Sequence, residues 1–388
     1  MKKKIAILGS TGSIGKNTIN IIKKDKKNFD IKLLSTNRNI SEIIKQAKEF
    51  KVKNIIINDY IKFVETKKKY RKLNINFYNS FSILDKLFKK KELYYSMISI
   101  TGIDGLNPSL QLIRYSKNIA IVNKEAIICG WNLIKKELKK NTTNFIPIDS
   151  EHFSIYSLIK KTDHSLIDKV FITASGGPFL KKSIKKIKYI KKKDALNHPN
   201  WKMGKKISID SSTLMNKVFE VIEAKKLFNL NYKNILILTH PKSYIHAIVK
   251  FKNALIKILI HEPDMKIPIY NSLYKNEINE IKSQNLNLKI LNNLELKKVN
   301  NKRFPLIKLL QNVKENDSLY ETVLVTINDY FVLKYLNNQI QYHEMISLIY
   351  KYCNLREFLK YRNILPKNVK DIYRLKDYVS LKLTSLGV

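Results

Sequence analysis

Glycine is scarce: the 388-residue chain holds ten, where average usage would give roughly 27. Cysteine is scarcer still, with Cys129 and Cys353 alone, too few for a disulfide framework and without metal-site spacing. No apolar run approaches the ~18 residues of a membrane span. The charged start "MKKK" leads into only four apolar residues, "IAIL", before a glycine loop, so no signal peptide is expected and the expected location is cytoplasmic. Acid is also in deficit, 32 Asp and Glu against 73 Lys and Arg, a formal charge of +41. Such an excess suits a polyanion partner, but the lysines are scattered from Lys2 to Lys382 among abundant Ile and Asn, as a codon bias toward A and T produces. No basic stripe with interleaved aromatics accompanies them, so nucleic acid is not the expected partner.

What is present is 44% apolar residues, enough for real cores in two or three domains. Nine of the ten glycines precede residue 205, seven of them grouped in "GSTGSIG", "TGIDG" and "SGGP". Residues 1–149 alternate β-like runs ("KIAILG", "FDIKLLST", "KNIIIND", "YYSMISITG", "NIAIVN", "NFIPID") with helical stretches, which predicts a doubly wound parallel sheet of the Rossmann-like kind. The marked residues Gly9, Arg38, Gly102, Asn123 to Glu125 and Asp149 follow strand ends, the edge at which open α/β sheets bind ligands. Residues 150–290 read as an α+β catalytic domain: a polar loop "LNHPNWKMGKKISIDSS", a helix "TLMNKVFEVIEAKKLF", and two long β-like runs at 234–261 that predict an antiparallel pair. Residues 291–388 turn helical and predict a small bundle.

Three constellations carry chemistry. "GSTGSIG" is a variant dinucleotide loop, in which glycines allow the tight turn and the helix N-terminus attracts a pyrophosphate; a plain strand-to-helix turn is the alternative. At the end of the second strand "STNRN" offers Arg38 and no neighbouring acid, which favours the 2′-phosphate of NADP over NAD, or is a solvated Arg. In "PIDSEHFSIY", Asp149 and Glu151 are two apart and, in extended chain, share a side; they form a hard oxygen pair for Mg²⁺ or Mn²⁺, or cap the following helix. In "SIDSSTLMNKVFEVIEA", Asn216, Lys217 and Glu220 share a helix face, with Asp210, Ser211 and Ser212 placed at its N-terminus. That arrangement can hold a phosphate, although an amphipathic surface helix with an ordinary cap is the commoner meaning of such a pattern.

Together "GSTGSIG", "VNKEA", "PIDSEH", "TASGGPF", "HPNWKMGKKISIDSSTLMNK" and "EPDMKIPI" stand in the order found in the 1-deoxy-D-xylulose 5-phosphate reductoisomerase family, which the chain resembles up to about residue 270. The resemblance implies NADPH- and metal-dependent rearrangement and reduction of 1-deoxy-D-xylulose 5-phosphate to 2-C-methyl-D-erythritol 4-phosphate, in non-mevalonate isoprenoid synthesis, by a homodimer. It implies NADPH contacts from Thr11, Gly12, Ser13, Ile14, Asn37, Arg38, Asn39, Asn123, Glu125 and Gly204, and Mg²⁺ or Mn²⁺ on Asp149, Glu151 and Glu220. It assigns the phosphorylated sugar to Lys124, Ser150, Ser175, His198, Trp201, Ser211, Asn216 and Lys217, with the phosphate near Ser175, Ser211, Asn216 and Lys217. Lys124, Glu151 and His198 are the implied catalytic groups, and "LNHPNWKMG" resembles the family's flap, with Trp201 as cover. Two positions depart from the family pattern: Asn37 where Gly is frequent, and Ala126 where Ser is. The competing readings are an NADP-dependent dehydrogenase of another phosphorylated substrate, which has no need of three metal carboxylates, and a basic nucleic-acid-binding protein, which needs none of these motifs.

Overall fold

The computed structural model describes residues 1–274, 280, 281, 283 and 285–387. Two compact units divide the chain, one of Met1–Ile127, Asn132–Asp149 and Met265–Ile281, the other of Ile128–Trp131, Ser150–Asp264 and Lys282–Val388.

The first unit holds seven strands: β1 (Lys3–Leu8), β2 (Phe29–Thr36), β3 (Asn54–Ile57), β4 (Asn76–Tyr78), β5 (Leu93–Ile98), β6 (Ser116–Ile121) and β7 (Asn144–Phe145). They lie in the order β4-β3-β2-β1-β5-β6-β7, every pair parallel. Runs such as residues 5–8 and 55–57 are buried throughout, as strands covered on both faces must be. Helices α1 (Ser13–Lys23), α2 (Ile40–Phe50) and α3 (Tyr60–Lys69) follow the first three strands, and α4 (Lys124–Asn141) starts after β6. The chain leaves β1 toward β2 on one side and returns to β5 on the other, so the switch point of the sheet falls between β1 and β5, where such folds bind ligands.

Two details depart from the run-by-run expectation. The run "NFIPID" contributes only Asn144–Phe145 to the sheet, because Pro147 has no N–H for a ladder. The helix Lys266–Leu273 joins this unit from far along the chain: Ile269 and Leu273 belong to its core, and Ser272 Oγ lies 2.8 Å from the buried Tyr95 hydroxyl.

In the second unit, five strands run in the order β11-β10-β8-β9-β12: β8 (Ile167–Ala174), β9 (Ile235–Thr239), β10 (Ile245–Phe251), β11 (Ile256–Ile260) and β12 (Lys297–Lys298). β10 and β11 form the expected antiparallel pair. The apolar run from 234 to 251, however, breaks at His240–Tyr244 into β9 and β10, which flank β8 on opposite sides, one parallel and one antiparallel. Pro241 and the left-handed Ser243 (φ 52°) make the turn.

Helix α5 (Ser150–Ile159) opens this unit, and α6 (Lys205–Ser212) and α7 (Met215–Phe228) follow the flap. The segment expected as polar loop, "KKISIDSS", is helical, so Asp210, Ser211 and Ser212 end α6 instead of starting α7. The break comes at Leu214, left-handed at φ 60° and buried with Ala174 and Phe304; burial of that side chain overrides local helix continuation. α7 is no surface helix either, since eleven of its fourteen residues are buried. The C-terminal helices include α8 (Tyr320–Leu336), with Tyr342–Cys353 and Val369–Ser385 after it. Among the described residues no helix is long and apolar enough to cross a membrane.

The dinucleotide-type loop leaves no room at two glycines. Gly9 has φ +75°, and a Cβ there would meet Ser99 O at 2.6 Å; at Gly15 it would meet Gly9 O and Ser10 Cα at 2.5 Å. Both obstacles are backbone, which cannot swing aside. Gly15→Ala is expected to destabilise the protein by about 1–3 kcal/mol through overpacking in urea denaturation. Gly204→Ser, in open space at a helix N-cap, is expected to stay within about 0.5 kcal/mol of the parent.

Candidate functional site

At the strand ends of the first unit, α1 begins with Gly12 at the N-cap, with no side chain closing it and no acid in the first turn. The first-turn N–H groups around Ser13 and Ile14 therefore face outward, the arrangement that receives an anion. Thr11 is tied to the end of β2 by its hydroxyl, 2.8 Å from Thr36 Oγ1. Asn39 is occupied as the N-cap of α2, accepting from Glu42 N, and Asn37 O accepts from Asp59 N.

Arg38 is not without an acid. Its Nε donates to Asp59 Oδ2 at 2.7 Å, and Asp59 comes from the end of β3, 21 residues further on. Asp59 also caps α3 through Lys62 N at 3.0 Å, and that hydrogen bond, followed by Arg38, holds its carboxyl below the usual range. Arg38 itself is three-quarters exposed. The sequence signal was available, since "IIIND" ends a strand on a helix-capping Asp, but its partner across strands was not.

Asn123 is committed to scaffold. Its Oδ1 caps α4 at Ala126 N, and its Nδ2 donates to Ile100 O at 2.6 Å and to Gly102 O. Next to it, Lys124 is buried and its Nζ lies 2.9 Å from Asp149 Oδ2. Glu125 sits in the first turn of α4.

In the second unit, five of the residues singled out from the sequence form one hydrogen-bonded cluster. Ser150 Oγ donates to Glu151 Oε2 at 2.6 Å. Lys217 Nζ donates to Glu151 Oε1 and, at 2.6 Å, to Glu220 Oε2, and Asn216 Nδ2 donates to Glu220 Oε1. Burial works against the Lys217 ammonium, but Glu151 and Glu220 beside it keep its pKa above the ordinary value. Glu220 is 1% exposed and Lys217 6%, so neither could remain charged here alone. Behind them His152, fully buried, reaches Glu220 O at 2.9 Å through Nε2 and faces Glu223 Oε2 at 3.5 Å through Nδ1. His152 and Glu223 were not singled out, although "SEH" and "EVIEA" place each one turn or less from a chosen residue. Asp149 directly precedes Ser150 and is the last residue of the Asn132–Asp149 segment of the first unit.

A second cluster is centred on His198. Its Nδ1 accepts from the backbone N–H of Asn200 and Trp201, at 3.2 and 3.0 Å, which leaves the proton on Nε2, 2.9 Å from Ser175 Oγ. Ser175 Oγ also accepts from Gly177 N at 3.0 Å. With two N–H groups on its oxygen, the Ser175 hydroxyl hydrogen points elsewhere and is available to a ligand. Burial, then the nearby Lys217 charge, pushes the His198 pKa down to about 4. The ring is therefore neutral at pH 7, with its only proton already donated, which suits positioning better than proton transfer.

Gly177, at φ +64°, brings this loop against α6: a Cβ there would lie 3.1 Å from Ser211 O. Trp201, half-buried, packs edge-on against His246, which stacks on His261 at 3.7 Å. Asn200 Nδ2 pins the flap to Pro241 O at 2.7 Å and Ser243 Oγ at 2.8 Å. Gly204 lies in the second unit as the N-cap of α6, whereas the other residues linked to the dinucleotide lie in the first.

The chain matches the sequence profile of 1-deoxy-D-xylulose 5-phosphate reductoisomerase over residues 5–130 and the two profiles of that enzyme's C-terminal domain over 145–228 and 260–380. It is 54% identical over 387 residues to the 1-deoxy-D-xylulose 5-phosphate reductoisomerase of Pelagibacter ubique (strain HTCC1062), covering 100% of both chains. Among solved structures, it is similar to a DOX-P reductoisomerase in complex with NADPH, fosmidomycin and magnesium (TM-score 0.91, 28% identity, 99% and 98% coverage). It is also similar to the Zymomonas mobilis reductoisomerase in complex with NADPH (TM-score 0.88, 26% identity, 100% and 99% coverage).

The His198 geometry fixes a pH dependence. Its folded pKa of about 4 lies below the ordinary 6.5, so between those values the unfolded chain binds a proton that the folded chain refuses. The resulting stability is complete above about pH 6.5 and is lost as pH falls toward 4. Imidazole ¹⁵N NMR is expected to show a neutral ring at pH 7 with the proton on Nε2, and the acid slope of stability is expected to be shallower in His198→Gln. A His198 resonance titrating near pH 6.5 would contradict the assignment.

Proposed function

The chain belongs to the 1-deoxy-D-xylulose 5-phosphate reductoisomerase family, and from that premise we propose how its side chains divide the family's reaction. It is an NADPH- and divalent-metal-dependent enzyme that acts on 1-deoxy-D-xylulose 5-phosphate. The product is 2-C-methyl-D-erythritol 4-phosphate. No described helix could cross a membrane, and a reaction that draws on NADPH fits the cytoplasm.

The observation that carries the division of roles is the carboxylate pair of the part-buried Glu151 and the buried Glu220, bridged by Lys217. Hard anionic oxygens that cannot stay bare suit Mg²⁺; Glu151 and Glu220 would hold it, with Asp149, two residues before Glu151, as the third ligand. When bound there, a divalent metal would supply Lewis-acid polarisation of the substrate's oxygens. Thr11, Gly12, Ser13 and Ile14 at the uncapped start of α1 would hold the pyrophosphate of NADPH and Arg38 its 2′-phosphate, and the cofactor would supply the hydride. Asn123 serves that site by fixing the loop at 100–102; Asn37, Asn39 and Glu125 border it, and Gly204 belongs to it as the end of the flap.

Lys124, held by Asp149, would serve as a proton donor or charge partner. Ser175 donates its free hydrogen to the substrate phosphate, oriented by His198 and Gly177 N. Ser211, Asn216 and Lys217 complete the phosphate set, and Ser150 reaches the sugar. Trp201, carried by the flap that His198 and Asn200 fasten, covers the substrate and excludes water.

The direct test is NADPH oxidation by the purified protein, which is expected to need both 1-deoxy-D-xylulose 5-phosphate and Mg²⁺ or Mn²⁺. NADPH is expected to be preferred over NADH. Arg38→Ala should cut that preference by about 10- to 100-fold, the loss of a charge-assisted contact of about 1.5–3 kcal/mol. An unchanged cofactor ratio would remove Arg38 from the site.

Assembly follows from an unpaired edge. β11 ends its sheet, and Leu255, Ile256 and Ile258 are 59%, 59% and 47% exposed. An apolar open strand is a template for pairing, which supports a homodimer across β11. Sedimentation equilibrium is expected to return twice the 45.5 kDa chain mass, and Ile256→Lys with Ile258→Lys is expected to shift it to monomer.

A further inference from the structure

Glu151 and Glu220 hold four carboxylate oxygens between them, and all four are bound from within the chain: Ser150 Oγ and Lys217 Nζ on Glu151, Asn216 Nδ2 and Lys217 Nζ on Glu220. The three donors are the side chains that the reading above gives to the substrate, so the metal ligands and the substrate ligands satisfy one another. Lys217 is the pivot. Its ammonium bridges the two acids, which is the place of a cation shared by both.

A Mg²⁺ or Mn²⁺ ion bound at the ~2.0–2.1 Å typical of carboxylate oxygens would stand a few ångströms from that ammonium in a buried site, where like charges repel strongly. The two cations exclude each other. The lysine stem is long and flexible, so its ammonium can leave the pair while the helix stays in place.

We infer that Lys217 is a resident counter-cation: it occupies the Glu151–Glu220 pair until the metal arrives, and its displacement frees Lys217, Asn216 and Ser150 together for the phosphorylated substrate. Metal binding therefore precedes and prepares substrate binding. The inference rests on the metal reading of Glu151 and Glu220, and the measurement below separates the two.

The test is Mn²⁺ binding to the full chain without NADPH or substrate, read from the electron paramagnetic resonance signal of free Mn²⁺. Removing a competitor should help the metal, so Lys217→Met is expected to lower the Mn²⁺ Kd at least tenfold. Lys225→Met removes the same charge from the same helix, where Nζ lies 4.0 Å from Glu315 and away from this pair; it is expected to change Kd less than twofold. Equal or weaker Mn²⁺ binding by Lys217→Met, or equal tightening in Lys225→Met, overturns the exchange. Should Lys217→Met not fold, Lys217→Gln keeps an N–H donor for the carboxylates and is expected to tighten Mn²⁺ about threefold, with no tightening again overturning it. Absence of Mn²⁺ binding in the wild type and every variant would instead remove the metal reading itself. The release step is read with methyl phosphate, which carries the phosphate alone: Mg²⁺ is expected to tighten its binding to the wild type and not to Lys217→Met, and equal tightening in both counts against the release.

Discussion

Two carboxylates and one ammonium, Glu151, Glu220 and Lys217, sit together where water is nearly absent, and much of the second unit serves to keep them there. A buried charge left alone costs several kcal/mol, so the helices bearing these residues cannot slide independently. α7 is consequently buried around most of its circumference. Its far end is anchored by a second buried charge, Lys226, between Asp317 and Glu321 at the start of α8. α6 is fixed to α8 by Asp210, which accepts from Asn328 at 2.8 Å. His152 ties α5 to the α7 backbone beside Glu220. The C-terminal helices thus do more than complete a core, because they hold the helix that carries the site.

The first unit depends on close backbone approach. A chain with few glycines has them at Gly9 and Gly15, where any Cβ would strike main-chain atoms. The result is a strand end and a helix start in tight contact at the switch point, with unoccupied N–H groups facing out. The flap is built differently. It is irregular between Asn197 and Gly204, and its attachment is a handful of hydrogen bonds through His198 and Asn200, a light fastening compatible with opening and closing.

Much of the local organisation was legible in the sequence. Alternating apolar runs and helical stretches led to the parallel sheet, "GSTGSIG" to its phosphate-type loop, and the spacing of Asn216, Lys217 and Glu220 to a shared helix face. Reading helix limits from polarity alone failed at "KKISIDSS" and Leu214, where a buried leucine outside helical backbone splits what looked like a loop and one helix. It failed also at residues 234–251, where one apolar run became two strands on opposite sides of β8.

By itself the sequence determined residue types and local periodicity, because these depend on neighbours a few positions away. Only the tertiary structure decided that Arg38 answers to Asp59, that Asn123 is spent on the loop at 100–102, that His198 is a neutral donor to Ser175, and that Lys217 lies between two acids instead of waiting for a phosphate. Each of these is a pairing of polar groups brought together by packing, and which partner a polar group takes is settled by what the folded core leaves within hydrogen-bond distance and shields from water.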